Sequence, residues 1–156
     1  LLALCCSGIT ALHAGTLGTM APIRQQAESK ARTHSARSAY ILHCAGCHGL
    51  DGAGVSQAQV PDLRGMAAFL GVAGGREFLI KVPGVMGSAL SDADIAAVTN
   101  WLLTDLLPPN PALRFQRYTE QEVREARRHP LTDVMQTRQE LVGKIRSAPD
   151  SPTLSD

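Results

Sequence analysis

The spacing of apolar and polar positions predicts a chain built from α-helices. The clearest apolar stripe recurs at helical spacing and consists of Ile95, Val98, Leu102 and Leu106. Ser91 precedes this stripe as a predicted N-cap, with Asp94 three residues later as a short variant of the capping box. Leu90 and Ile95 fall at the positions of a hydrophobic staple, and Pro108 and Pro109 are expected to end the helix.

Shorter helices are predicted ahead of this one. Residues 35–43 form a first helix, and residues 66–72 and 76–82 form two short helices separated by Gly74 and Gly75. Residues 21–33 are polar, and they are interpreted either as a mobile leader or as the frayed start of the first helix. The intervening run from Leu50 to Val55 is rich in glycine and is expected to be a loop.

Two further helices are predicted after Pro111. Thr119 and Glu122 form a capping box for a helix that runs to about Arg128. A second amphipathic helix follows Pro130, and its predicted apolar face holds Leu131, Val134, Met135, Leu141, Val142 and Ile145. These helices either fold back over the domain or present their apolar face to another subunit. Residues 147–156 are expected to be disordered.

Length and composition limit the chain to one domain with additions. The 156 residues, 44% of them hydrophobic, suffice for one buried core and are too few for two comfortable ones. A formal net charge of +1 argues against general binding to nucleic acid or to a membrane surface.

The first twenty residues are apolar and contain no Asp, Glu, Lys or Arg. We interpret residues 1–21 as a signal peptide or the remnant of one, which predicts an exported, periplasmic protein. A short membrane anchor is the alternative, although the run barely reaches the length needed to span a bilayer. Lipidation of Cys5 or Cys6 is a third possibility.

The chemistry of the chain is concentrated at Cys44, Cys47 and His48. Two cysteines separated by two residues and followed directly by histidine are the attachment signature of c-type haem. Thiols one helical turn apart can each add to a haem vinyl group, and the adjacent imidazole then lies under the iron as its proximal ligand. The motif therefore predicts one covalently attached haem.

Two other uses of a Cys-x-x-Cys motif fit the sequence less well. A zinc site needs further Cys or His ligands at matching spacing, and the remaining cysteines, Cys5 and Cys6, lie in the predicted signal segment. A thioredoxin-like redox pair requires a preceding strand in a βαβ pattern, whereas the residues before Cys44 are predicted to be helical.

The sequence CAGCHGLDGAG, followed by PDLRG and by LSDADIAAVTNWLL, resembles the bacterial class I cytochrome c family over residues 35–107. This resemblance implies an all-α domain wrapped around one haem c. The residues before and after the match are then predicted to be a leader over residues 22–34 and a helical extension over residues 108–146, which continues past the usual end of such a domain. It also implies that the backbone carbonyl of Pro61 contacts the second nitrogen of the His48 imidazole. Trp101 is expected near the contact between the first helix and the helix that follows Ser91, and it is a candidate for contact with the haem.

The sixth ligand of the iron is where the sequence departs from the family. Class I members normally use a methionine directly before a proline, and here that dipeptide is Val82-Pro83. Met86 is the nearest substitute, and Gly84 and Gly87 beside it are expected to help the loop bend. Met66, Lys81 and a vacant position remain as alternatives.

The function implied by the resemblance is the transfer of single electrons between redox partners, without enzymatic chemistry. An open or labile sixth position would instead suit a haem subunit or a sensor of small ligands. Haem propionates are expected to pair with arginine, and the candidates are Arg64, Arg76, Arg114 and Arg117.

Overall fold

The computed structural model describes residues 20–58, 60–107 and 114–148, and its regular elements are helical. The α-helices are α1 (Met20–His43), α2 (Ala45–His48), α3 (Gly75–Lys81), α4 (Pro83–Met86), α5 (Asp92–Trp101), α6 (Glu120–Arg128) and α7 (Val134–Ser147). Two 3₁₀ helices span Ser56–Ala58 and Leu63–Gly71. Within the described residues the only β-type pairing is an isolated bridge between Val55 and Val60. The prediction of an all-α fold is confirmed.

The first helix is longer than residues 35–43. It begins at Met20, so the polar residues 21–33 are helical and continue directly into the predicted helix. These residues include many Ala, Arg, Gln, Glu and Lys, which favour helix formation without an apolar stripe. Their side chains are mostly exposed, and Arg24 and Glu28 form an ion pair one turn apart. None of the described helices is both long enough and apolar enough to cross a membrane.

Helix α5 packs against α1 and forms the centre of the fold. The Ser91 side chain accepts a hydrogen bond from the Asp94 backbone N–H, as the predicted N-cap requires. Ile95, Val98 and Leu102 are buried and Leu106 is half-buried, which confirms the predicted stripe. The Trp101 ring lies 5.5 Å from the Tyr40 ring of α1. A π-helical turn, Leu102–Leu106, ends the helix just before Pro108 and Pro109, which lie outside the described residues.

The region between the haem motif and α5 differs in detail from the sequence-based expectation. The first of the two short helices is a 3₁₀ helix over Leu63–Gly71, with the Asp62 side chain accepting from the Arg64 backbone N–H. Gly74 has a φ of 87°, which suits glycine, and Gly75 is already the first residue of α3. A Cβ on Gly75 would lie 1.9 Å from the Phe69 carbonyl oxygen, so only glycine allows this close approach.

Residues 114–148, here called the C-terminal extension, fold back over the domain. Tyr118, Val123 and Ala126 belong to the main core, which they share with residues of α1 and α5 such as Tyr40 and Trp101. Helix α6 begins with the predicted capping box between Thr119 and Glu122. These contacts support the interpretation in which α6 covers its own domain.

Helix α7 packs on a different part of the molecule. Leu141 and Ile145 join Phe69 and Phe78 in a separate group, here called the second cluster. The Phe69 and Phe78 rings are stacked with centroids 5.4 Å apart. The expectation that Met135 shares this apolar face is wrong, because its side chain is 64% exposed. On a helix of about 3.6 residues per turn, Met135 lies at the edge of the face that Val134, Leu141 and Ile145 share, and this edge is exposed.

Candidate haem-attachment site

The Cys-x-x-Cys-His motif occupies a single helical turn at the end of α1. The Cys44 N–H donates to the Tyr40 carbonyl, and the Cys47 and His48 N–H groups both donate to the Cys44 carbonyl. This geometry brings two thiols and one imidazole together around the single turn of α2. Cys44 is half-buried and Cys47 is exposed, and burial raises the pKa of the Cys44 thiol.

The imidazole of His48 is oriented by the backbone. Its Nδ1 atom lies 3.1 Å from the carbonyl oxygen of Pro61, which is the contact that the family resemblance implies. A carbonyl can only accept a hydrogen bond, so this contact selects the tautomer that carries its proton on Nδ1. The Nε2 atom of that tautomer has a lone pair available for a metal.

The loop that brings Pro61 under the imidazole depends on Gly54. This residue has a φ of 70°, and a Cβ would lie 2.4 Å from the Val60 carbonyl oxygen and 2.6 Å from that of Pro61. The Gly54 N–H donates to the His48 carbonyl. A side chain at position 54 would therefore push away the segment that orients His48.

Tyr40 provides a second support that the motif alone does not reveal. Its hydroxyl donates to the Gly49 carbonyl at 2.6 Å, one residue beyond His48. Burial raises the pKa of Tyr40, and the nearby Cys44 and Asp51 add to this effect. The sequence signal is the position of Tyr40, four residues before Cys44 and so on the same helical face.

The donor set and its surroundings fit a covalently bound haem. Two thiols can form thioether bonds, His48 can supply one axial nitrogen, and the exposed apolar side chains of Leu50 and Val55 follow the motif directly. The described residues contain no group of three or more His, Cys, Asp or Glu that could hold a metal ion, so they provide no ligand set for structural zinc.

The methionines of the sixth-ligand prediction lie in different environments. Met66 is 7% exposed and packs in the main core. Met86 is half-buried and ends α4, a turn in which its N–H donates to the Val82 carbonyl. Gly84 and Gly87 both lack a positive φ, so the expected bent loop is instead a short helical turn. Lys81 forms an ion pair with Glu77 at 3.6 Å.

Two of the four arginines expected to pair with propionates, Arg64 and Arg76, bind protein groups. Arg64 binds the Asp62 carboxylate with Nε and Nη2, and these hydrogen bonds hold the pKa of Asp62 below its usual value. Arg76 donates to the Glu122 carboxylate and to the carbonyls of Gln116 and Arg117. Arg76 therefore connects α3 to the C-terminal extension, a different role from the expected one.

The structure also contains a groove whose lining includes none of the haem-motif residues. It has a volume of about 670 Å³ and is bordered by α1, α5 and the start of the C-terminal extension. Trp101, Asn100 and Tyr118 line it. Trp101 thus contacts Tyr40 on one side and the groove on the other, and its predicted contact with the cofactor stays a prediction.

The family model and the curated relatives that match this chain point to the same family. The family model described as Cytochrome c matches residues 34–105. Cytochrome c-552 of Thermus thermophilus is 35% identical over 107 residues, an alignment that covers 57% of this chain and 82% of that protein. A second cytochrome c-552, from a named strain of the same species, is also 35% identical over 107 residues. This alignment covers 57% of this chain and 72% of that protein. No solved structure is significantly similar to this chain. By its motif, its all-α fold and these relatives, the chain belongs to the class I cytochrome c family of electron-transfer proteins, whose cofactor is one covalently bound haem c.

Proposed function

We propose that this protein is an exported carrier of single electrons in which Cys44 and Cys47 hold the haem and His48 is the proximal ligand. The observation that carries the proposal is the contact between His48 Nδ1 and the Pro61 carbonyl. It directs Nε2 away from the backbone and keeps the imidazole in the tautomer that can bind iron. When bound, the haem supplies an iron that alternates between the ferric and ferrous states by one electron.

We propose Met86 as the sixth ligand. Its side chain is half-buried but belongs to neither apolar cluster, whereas its neighbour Val85 packs against the main core. The alternatives are less suited, because Met66 fills the core and the Lys81 ammonium is engaged by Glu77. A thioether ligand favours the reduced state and raises the reduction potential.

Electrons are proposed to enter and leave near the two thioether positions. Cys47, Leu50 and Val55 are exposed on that side, so a partner protein can approach closely there. Export is proposed from the uncharged apolar segment at residues 1–20, because haem c is attached outside the bacterial cytoplasm. Residues 1–19 lie outside the described part of the chain.

The attachment residues are tested by the absorption spectrum of the purified protein in alkaline pyridine. Two thioether links give a different band position from one link, so Cys47→Ser should shift the spectrum to the one-link form. Recovery of colourless protein with both thiols open to alkylation would refute the proposal.

The sixth ligand is tested by the weak far-red absorption band of ferric haem bound to methionine. Met86→Ala should abolish the band, while Met135→Ala should leave it unchanged because Met135 is 64% exposed on α7. Retention of the band in Met86→Ala, or its loss in Met66→Leu, would contradict the assignment. A high-spin spectrum of the unmodified protein that shifts with carbon monoxide would instead indicate a sensor.

A further inference from the structure

Residues 82–90, here called the distal segment, join α3 to α5 and contain Met86. Apart from the short turn of α4, they include no regular element, and their hydrogen bonds to one another lie within residues 82–88. Among these are the bonds from the Met86 N–H to the Val82 carbonyl and from the Ser88 hydroxyl to the Val85 carbonyl. The end of the segment next to α5 lies beyond these bonds, so it needs external contacts to keep one position.

The helix that leads into the distal segment is held to the C-terminal extension by Arg76. The guanidinium of Arg76 lies 4.0 Å from the centre of the Tyr118 ring, and its Nε donates to Glu122 at 2.8 Å. The Tyr118 hydroxyl donates in return to the Arg76 carbonyl at 2.9 Å. Helix α3 therefore reaches the distal segment from a fixed position.

The other end of the distal segment is held by Arg127 of α6. Its Nη2 donates to the Leu90 carbonyl at 2.9 Å and reaches the Ser88 carbonyl at 3.5 Å. Its Nη1 donates to the Asp92 carboxylate at 2.8 Å, in the first turn of α5. One guanidinium thus bridges α6, the distal segment and α5.

The arrangement around Arg127 carries an energetic penalty. Its Nε–H is buried and has no hydrogen-bond partner among the described residues. An unpaired buried donor is unfavourable, so the contacts of the two terminal nitrogens must outweigh it. The planar fork of arginine reaches two carbonyls and a carboxylate with two separate nitrogens, whereas lysine offers its donors from a single nitrogen.

We propose that Arg127 is a positioning residue that fixes the distal segment against α6 and thereby sets the position of Met86. The C-terminal extension then acts on the cofactor side of the molecule although its helices lie outside the domain matched by the family model. For its effect on the haem, this inference rests on the proposed assignment of Met86. Its effect on the distal segment does not depend on that assignment.

Hydrogen–deuterium exchange of the full haem-loaded chain tests the proposal directly. Arg127→Met removes the donors while keeping an unbranched apolar chain. The amides of Met86, Gly87 and Ser88 should then exchange roughly ten to a hundred times faster, the factor expected for loss of hydrogen bonds from a charged group. Arg127→Lys should give a smaller increase.

The matched control is Arg124→Met on the same helix. Arg124 lies 3.6 Å from Asp92 and pairs with Glu120, but none of its hydrogen bonds reaches the distal segment. Its replacement should leave exchange at Met86, Gly87 and Ser88 unchanged. If Arg127→Met does not fold, Asp92→Asn weakens the same bridge more gently and should raise exchange by a smaller factor.

The haem gives a second readout. Exogenous imidazole should bind ferric protein faster in Arg127→Met than in Arg124→Met, because the distal segment opens more often. Unchanged exchange of the distal segment in both Arg127→Met and Asp92→Asn would overturn the proposal. Retention of the methionine band in Met86→Ala would instead refute the ligand assignment, and the exchange data would still decide the role of Arg127.

Discussion

Replacement of Asn100 by alanine should partly release the C-terminal extension from the domain. Asn100 lies on α5 and is 5% exposed. Its side-chain amide donates to the Tyr118 carbonyl at 2.9 Å, and its side-chain oxygen accepts from the Tyr118 N–H at 2.8 Å. The side chain thus forms with Tyr118 the pair of bonds that a neighbouring strand would form.

The size of the effect follows from the two backbone groups of Tyr118 that lose their hydrogen-bond partners when residue 100 is alanine. Tyr118 is 3% exposed, so its N–H and carbonyl would both lose their partners in a buried position. Each such loss destabilises a protein by about 1–3 kcal/mol. The groove beside Asn100 lets water reach the site and offset part of this loss. We therefore expect a decrease of about 2–3 kcal/mol in the free energy of unfolding.

Urea unfolding of the haem-loaded protein, followed by far-ultraviolet circular dichroism, measures this change. With a typical dependence of about 1–3 kcal/mol per molar urea, the midpoint should fall by about 1 M. Trypsin gives an independent signal, because Arg117 adjoins Tyr118 and should be cleaved faster once the extension detaches more often.

The control is Thr104→Ala on the following turn. Its hydroxyl donates to the Asn100 carbonyl at 3.0 Å, but the residue is exposed, so a change below about 0.5 kcal/mol is expected. An Asn100→Ala protein that unfolds at the same urea concentration as Thr104→Ala would refute the reasoning. The extension would then not be held through the backbone of Tyr118.

Two further predictions concern the loop below the imidazole and the capping box of α6. Gly54→Ala should lower the free energy of unfolding by on the order of 1–3 kcal/mol, since the residue has a positive φ and its Cβ would meet the Pro61 carbonyl. The control Gly143→Ala, with open space around it, should be neutral or stabilising by thermal unfolding. Burial raises the pKa of Glu122, but hydrogen bonds from Arg76 and its capping partner outweigh this effect and hold the pKa below the ordinary 4.5. A lowered folded pKa stabilises the protein above pH 4.5 and ceases to do so as the pH falls through the folded value. The stability difference between the unmodified protein and Glu122→Gln should therefore be constant at neutral pH and shrink in acid, and a difference that stays constant down to about pH 3 would contradict it.

The parts of the fold that the sequence predicts well are those encoded by neighbouring residues. The caps at Ser91 and Thr119 are confirmed because side chain and target lie three residues apart. The apolar stripe of α5 is confirmed for the same reason. Helix α1 is longer than predicted because residues 21–33 favour helix by composition, which produces no periodic signal.

Contacts between distant residues are not predictable from the sequence. Arg76 donates hydrogen bonds to carbonyls that lie 40 or more residues away in the sequence. No feature of the sequence distinguishes such an arginine from one that pairs with a haem propionate. The apolar residues after Pro130 are predicted to share one helical face, but Met135 lies at the edge of that face. Whether a side chain at such an edge is covered depends on contacts with distant residues, and here Met135 stays exposed.

The two helices of the C-terminal extension seal separate apolar groups. Helix α6 supplies Val123 and Ala126 to the main core, whereas α7 completes the second cluster against Phe69 and Phe78. Helix α7 can therefore unfold locally while the interior between α1 and α5 stays closed to solvent. Proteolysis within α7 would then expose the second cluster before it disturbed the main core, against which Cys44 packs.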